Sequence, residues 1–247
     1  MIDETTRVKI CGIRKLEEAQ AAARAGADFI GLVFVPGRPR RLELDAAKEI
    51  VAGIKQMGAG APRVVGLFAG QPLDEVNRTV EECCLDLAQL CGQEPLDYCG
   101  NTRADVIKVV HVVGGIEINR EINQTGGEAG SEPQGLQELE DLVASYTRRG
   151  HIVTLDRLVD GIPGGTGQSF NWDVAAHLSR RGHSFILAGG LTPDTVAQAI
   201  ATVHPWGVDV SSGVETGGVK DPEKIRAFIR NAKGAMQEAD HERGKGV

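Results

Sequence analysis

The chain has 247 residues, 41% of them hydrophobic and 25% charged, with a formal net charge of −7. That length and apolar content suit a single large domain with a substantial core, a size at which α/β barrels are common. The acidic balance argues against a protein built to coat nucleic acid, while leaving room for a local basic pocket for an anionic metabolite, and no apolar run approaches the roughly 20 residues of a membrane span.

Strand-like and helix-like segments alternate along the chain. RVKICGI (7–13) alternates Val8 and Ile10 with Lys9 and Cys11, which reads as a short strand with one apolar and one mixed face. LEEAQAAARAG (16–26) is a run of helix formers closed by a glycine stop. ADFIGLVFV (27–35) runs on apolar beyond Asp28, as a strand buried on both faces should. LDAAKEIVAGIKQM (44–57) has helical spacing, RVVGLFAG (63–70) reads as the third strand and LDEVNRTVEEC (73–83) as the third helix. LDLAQLCG (85–92) and ADVIKVVHVV (104–113) follow as strands four and five, with a short, weakly signalled helix near 95–103 between them.

The segment 117–134 is polar and glycine-rich and reads as a flexible loop insertion. LQELEDLVASYTRRG (136–150) is a clear helix with basic residues at its C-terminal end. HIVTLD (151–156), SFILAGG (184–190) and GVDVSSG (207–213) complete the strands. Each precedes a helix, at 171–182, 193–203 and 221–236, and the charged tail from about 236 is expected to fray. Eight strand–helix units without a dividing linker predict one (β/α)8 TIM barrel spanning 1–247. A doubly wound sheet would normally carry a G-x-G-x-x-G turn after the first strand, and none is present.

In such barrels the chemistry sits at the C-terminal ends of the strands. Strand one ends at Cys11, strand six at Asp156, strand seven at Gly189 and Gly190, and strand eight at Asp209, Ser211, Ser212 and Gly213. The loop after strand six carries GGTG, including Gly164 and Gly165. Glycine turns after strands six, seven and eight bring backbone N–H groups close to an oxyanion, and the serines add hydroxyl donors, so a phosphate is expected against Gly165, Gly190 and Gly213 or their neighbours. One such turn would mean only a tight corner. Ile152, Thr154 and Asp156 share a face, which aims Asp156 into the barrel mouth, although an aspartate at a strand end can also simply cap a loop. The VPGRPRR loop after strand two offers Arg38, Arg40 and Arg41, and an arginine there suits bidentate binding of a carboxylate. Period-2 alternation also turns Lys9 and Asp209 inward on strands that meet when the barrel closes, so the two are expected to pair.

A cysteine on a strand is usually a small hydrophobe. Five are present, at Cys11, Cys83, Cys84, Cys91 and Cys99. The odd count and the missing apolar signal segment point to a reducing, cytoplasmic setting. With no C-x-x-C pair and no interleaved histidine, a zinc site is not expected.

Taken together and in order, KICGI, LVFVPGRPR, LD followed by GGTGQSFNW, LAGGLTP and VDVSSGVE resemble the phosphoribosylanthranilate isomerase family of tryptophan biosynthesis over about 7–233. The resemblance implies a cofactor-free barrel. It implies an aldose–ketose isomerase that converts N-(5-phospho-β-D-ribosyl)anthranilate into 1-(2-carboxyphenylamino)-1-deoxy-D-ribulose 5-phosphate. It further implies Cys11 as general base, Asp156 as general acid, Arg40 on the anthranilate carboxylate and Asp209 near the anthranilate amino group. For Cys11 to act as base, its surroundings should be mildly electropositive, with Lys9 one contributor. The partner implied is a small phosphorylated aminoaldose rather than a nucleic acid or membrane, and a homodimer is left open.

Two motif positions depart from the family pattern. Cys91 stands where Q-L-H-G has histidine, and Asn171 stands where F-D-W has aspartate, a change that keeps a helix cap. The insertion at 117–134 is long for the family and touches no motif. Of the related barrels, the histidine-pathway aminoaldose isomerase ends its first strand in aspartate. Indole-glycerol phosphate synthase needs an N-terminal helical segment for which this chain has no room before Arg7. A barrel that binds a phosphorylated ligand without turning it over would not be expected to keep both Cys11 and Asp156.

Overall fold

The computed structural model describes residues 6–113, 134–158 and 172–243. Strands β1 (Arg7–Cys11), β2 (Phe29–Val33), β3 (Arg63–Phe68), β4 (Leu87–Leu90), β5 (Asp105–Val113), β6 (Ile152–Leu158), β7 (Ile186–Leu187) and β8 (Gly207–Val210) close into one parallel barrel in chain order. Helices α1 (Leu16–Ala25), α2 (Leu44–Lys55), α3 (Leu73–Cys83), α4 (Leu96–Gly100), α5 (Gln134–Thr147), α6 (Trp172–Arg180), α7 (Val196–Val203) and α8 (Pro222–Arg243) alternate with them. The predicted (β/α)8 barrel is the fold observed. The expected insertion at 117–134 falls almost wholly outside the described residues, with only Gln134 appearing as the first residue of α5.

Alternation along each strand builds two apolar layers. Val8, Ile10, Ile30, Leu32, Val64 and Phe68 face outward and pack under the helices. Phe29, Val65, Leu67, Leu87, Ile107 and Ile186 face inward and fill the lumen with Cys11. This lumen is a packed core, as the fold requires, and its upper end carries the polar groups. Register then fixes neighbours: Lys9 lies beside both Phe29 and Asp209, and Cys11 beside Gly31.

Two devices hold the barrel's ends. At the N-terminal end, Asp28 accepts from the Val8 N–H (2.8 Å) and Asp86 from the Val64 N–H (2.7 Å), so the residue leading into one strand pairs a donor of the strand before it. At the mouth, Glu94 accepts from the backbone N–H groups of Gly70 and Gly92 and pairs with Lys108 at 2.6 Å. Both side chains of that pair are buried. The loops after β3 and β4 are thereby tied to β5.

Two elements differ from the sequence reading. Helix α8 continues to Arg243, through the stretch read as tail, because QEADHER contains good helix formers and no Gly or Pro. After a single 3-10 turn at Ser212–Val214, a small hairpin forms from β9 (Glu215–Thr216) and β10 (Val219–Lys220). Gly217 and Gly218 form its two-residue turn with φ of 58° and 76°, the left-handed values a tight hairpin of this kind needs.

Candidate active site

Lys9 is the largest fully buried side chain among the described residues, at 0% exposure. Its Nζ lies 2.9 Å from Asp209 Oδ2, as the alternation on β1 and β8 predicts. Burial alone would lower the Lys9 pKa, but its charged surroundings, the Asp209 carboxylate foremost, outweigh it and raise the value. Asp209 Oδ1 is buried and has no hydrogen-bond partner among the described residues. An unpaired buried acceptor is costly, so this oxygen is a natural seat for a ligand N–H.

Cys11 sits one inward position further up β1, at 6% exposure. The expectation of an electropositive setting holds only in part. Burial pushes the thiol pKa up, Lys9 and Lys220 oppose that, and Asp209 takes back some of the benefit. The net direction is upward, so the unliganded Cys11 is a thiol rather than a thiolate. Gly12 follows with φ of 75°. A Cβ built there would lie 2.5 Å from Arg40 Cδ and 3.0 Å from Ser211 Oγ, so glycine is required both by the backbone and by the close approach of the β2 and β8 loops.

Arg40 holds a carboxylate bidentately, but the carboxylate is the chain's own Glu215. Nε donates to Oε1 at 2.8 Å and Nη2 to Oε2 at 2.7 Å. Lys220 Nζ donates to the same Glu215 at 2.8 Å and to the Ser211 carbonyl at 2.8 Å. Burial pushes the Glu215 carboxyl up, yet its bonds to the two cations prevail and bring it down to about 2. Neither Glu215 nor Lys220 was singled out from the sequence. The double glycine between them was the available signal, since it folds their two short strands together.

The loops after β7 and β8 meet. A Cβ on Gly213 would lie 2.0 Å from the Leu191 carbonyl oxygen, whereas one on Gly190 would meet nothing within 4 Å. Gly213 is therefore fixed by contact, and Gly190 by its φ of 74°, as Gly189 is by 94°. Ser211 and Ser212 lie in the same turn. Gly164, Gly165 and Asn171 lie outside the described residues.

Asp156 lies on the inward row Ile152, Thr154, Asp156 of β6, which runs on to Leu158 rather than ending at Asp156 as the sequence suggests, and the closed strand order puts β6 three strands from β1. Its register partner on β5 is His111. The His111 ring is exposed and its Nε2 lies 3.1 Å from the Cys91 carbonyl oxygen, so Nε2 is the donor and carries a proton. His111 was also missed, although VIKVVHVV puts it in the same alternating row as Ile107 and Val109. Burial pushes the Cys91 thiol up to about 12, so it is a poor alternative base.

Comparison with known proteins bears on the family and the fold. The family model for N-(5′-phosphoribosyl)anthranilate (PRA) isomerase matches residues 8–128 and 134–231. The N-(5′-phosphoribosyl)anthranilate isomerase of Citrifermentans bemidjiense is 42% identical over 229 residues, covering 92% of this chain and 97% of that protein. The crystal structure of the Thermotoga maritima phosphoribosylanthranilate isomerase, elsewhere described as dimeric, superposes with a TM-score of 0.73 at 32% identity. It covers 93% of this chain and all of that one. A further isomerase structure, in complex with reduced 1-(o-carboxyphenylamino)-1-deoxyribulose 5-phosphate, gives a TM-score of 0.70 at 31% identity, with 93% and 100% coverage. Matched along nearly its whole length in sequence and in fold, the chain belongs to the N-(5′-phosphoribosyl)anthranilate isomerase family.

Proposed function

We propose that this barrel carries out the family's Amadori rearrangement of N-(5-phosphoribosyl)anthranilate with Asp156 as general acid and Cys11 as general base. The acid protonates the furanose oxygen as the ring opens to a Schiff base. The base then takes the C2′ proton, and the resulting enolamine becomes the ketose. Strands β1 and β6 are separated by β7 and β8 around the mouth, which suits that division of labour over one ribose. The raised pKa of Cys11 fits a base that is silent until substrate binds. The protonated Schiff base is itself a cation, and beside Cys11 it favours the thiolate when the proton must be taken.

The observation that carries the assignment is Asp209 Oδ1, a buried acceptor without a partner among the described residues, one strand from Cys11. The secondary amine N–H between anthranilate and ribose supplies the missing donor. Arg40 would hold the anthranilate carboxylate, and the phosphate would lie against Gly164, Gly165, Gly189, Gly190, Ser211, Ser212 and Gly213. A homodimer is compatible with this reading. The five free thiols fit a reducing, cytoplasmic setting. The test is turnover of N-(5-phosphoribosyl)anthranilate by the purified chain, followed by loss of substrate fluorescence. Binding without turnover would leave only a ligand-binding barrel.

A further inference from the structure

We infer that Glu215 and Lys220 are positioning residues that turn Arg40 into a pre-aimed carboxylate receptor, so that the ligand carboxylate adds to the Arg40–Glu215 pair rather than replacing it. This inference rests on the proposed role of Arg40 and extends it to two further residues.

The argument is one of donor count. A guanidinium has five N–H donors. Glu215 engages the side edge, through Nε and one hydrogen on Nη2, at 2.8 and 2.7 Å. The other three donors, on Nη1 and the far side of Nη2, form the end-on fork that matches a second carboxylate. Among the described residues, the side edge is closed and the end is open. Burial follows the same order: the side chain of Lys220 is 1% exposed, that of Glu215 7%, and that of Arg40 31%. The inner cation and the carboxylate are sealed in, and of the three side chains only Arg40 is substantially exposed.

Charge completes the case. A lone Arg40–Glu215 pair would be neutral and would attract a carboxylate weakly. Lys220, 2.8 Å from Glu215 on the buried side, restores a net positive charge to the cluster. Its second bond, to the Ser211 carbonyl, ties the receptor to the loop that follows β8. The arginine also lies against Gly12, its Cδ 2.5 Å from where a Cβ would be built, so its side chain passes beside the residue that follows Cys11. Holding a long side chain in one rotamer before binding removes an ordering cost from association.

The experiment is steady-state kinetics of the full chain with two substrates: N-(5-phosphoribosyl)anthranilate and the analogue made from aniline, which lacks the ring carboxylate. Glu215→Gln should raise KM for the anthranilate substrate about tenfold, the worth of one well-held charge-assisted hydrogen bond, while kcat changes far less. KM for the aniline analogue should not move. Adding Glu215→Gln to Arg40→Ala should change KM less than about twofold, because the residue acts only through Arg40. Should Glu215→Gln fold poorly, Lys220→Gln should give the same carboxylate-selective rise in KM, with Lys220→Arg restoring affinity. A fall in KM in Glu215→Gln would overturn the proposal, since Glu215 would then be a competitor that the substrate displaces. Additive effects of Arg40→Ala and Glu215→Gln would overturn it too. A wild-type protein inert toward the anthranilate substrate would refute the proposed function instead. An Arg40→Ala variant with unchanged KM would refute the Arg40 role and the triad with it.

Discussion

Replacing Lys9 by Met tests the buried pair at the centre of the barrel. Methionine keeps most of the length and apolar stem of lysine, so the change removes a charge without opening a large cavity. What remains is the Asp209 carboxylate, only 9% exposed, stripped of its 2.9 Å partner and with Oδ1 already unpartnered among the described residues. Removing one member of a buried ion pair costs about 3–5 kcal/mol, because the other charge stays desolvated. For a chain of this size each kcal/mol moves Tm by about 2–4 °C, which puts the loss at roughly 6–20 °C. Thermal melts followed by circular dichroism, with urea titration for ΔG, measure it. Adding Asp209→Asn to Lys9→Met should recover much of the loss, since the stranded charge is then gone, and the double-mutant cycle isolates the coupling. A Lys9→Met protein melting within about 2 °C of wild type would refute the reasoning, because Asp209 would then be shown to be comfortable without its ammonium.

Two further outcomes follow from the mouth. Gly12→Ala should both destabilise the chain by about 1–2 kcal/mol, from its left-handed φ of 75°, and raise KM for the anthranilate substrate, because the new methyl displaces Arg40 Cδ and Ser211 Oγ; unchanged Tm and KM would contradict the close packing. The Cys11 thiol, followed as the difference in thiolate absorbance between wild type and Cys11→Ser, should titrate above the ordinary value of about 8.5. Lys9→Met should move it higher still, since the ammonium opposes the shift, whereas a midpoint below about 8 would mean that the cations outweigh burial.

The fold was legible because barrel units repeat one local rule. Alternation in RVKICGI and the apolar run beyond Asp28 in ADFIGLVFV each specify a strand and its faces, and the glycine at 26 stops the helix between them. The same rule placed Lys9 against Asp209 and Cys11 at the end of β1, whereas β6 runs on to Leu158, two residues past Asp156. What escaped were contacts that period and propensity do not encode. Glu215 and Lys220 come together through a hairpin of two-residue strands, too short to show a pattern. Arg40 meets Glu215 across 175 positions of sequence. His111 looked like one more residue in an apolar strand, and only register sets it beside Asp156. The setting of Cys11 was legible only in part for a related reason: sequence reveals a nearby lysine but not the depth of burial, and burial decides the direction of its shift.

The central claim is that Cys11 and Asp156 move the protons of the isomerisation. Its most direct test is turnover of N-(5-phosphoribosyl)anthranilate by Cys11→Ser and Asp156→Asn beside the wild type, with substrate binding measured separately. Each variant should lose roughly 10²-fold or more in kcat, the usual worth of a placed acid or base, while binding the substrate almost as tightly as wild type. Near wild-type turnover by Cys11→Ser would contradict the account and return Cys11 to the role of a packing residue at the end of its strand.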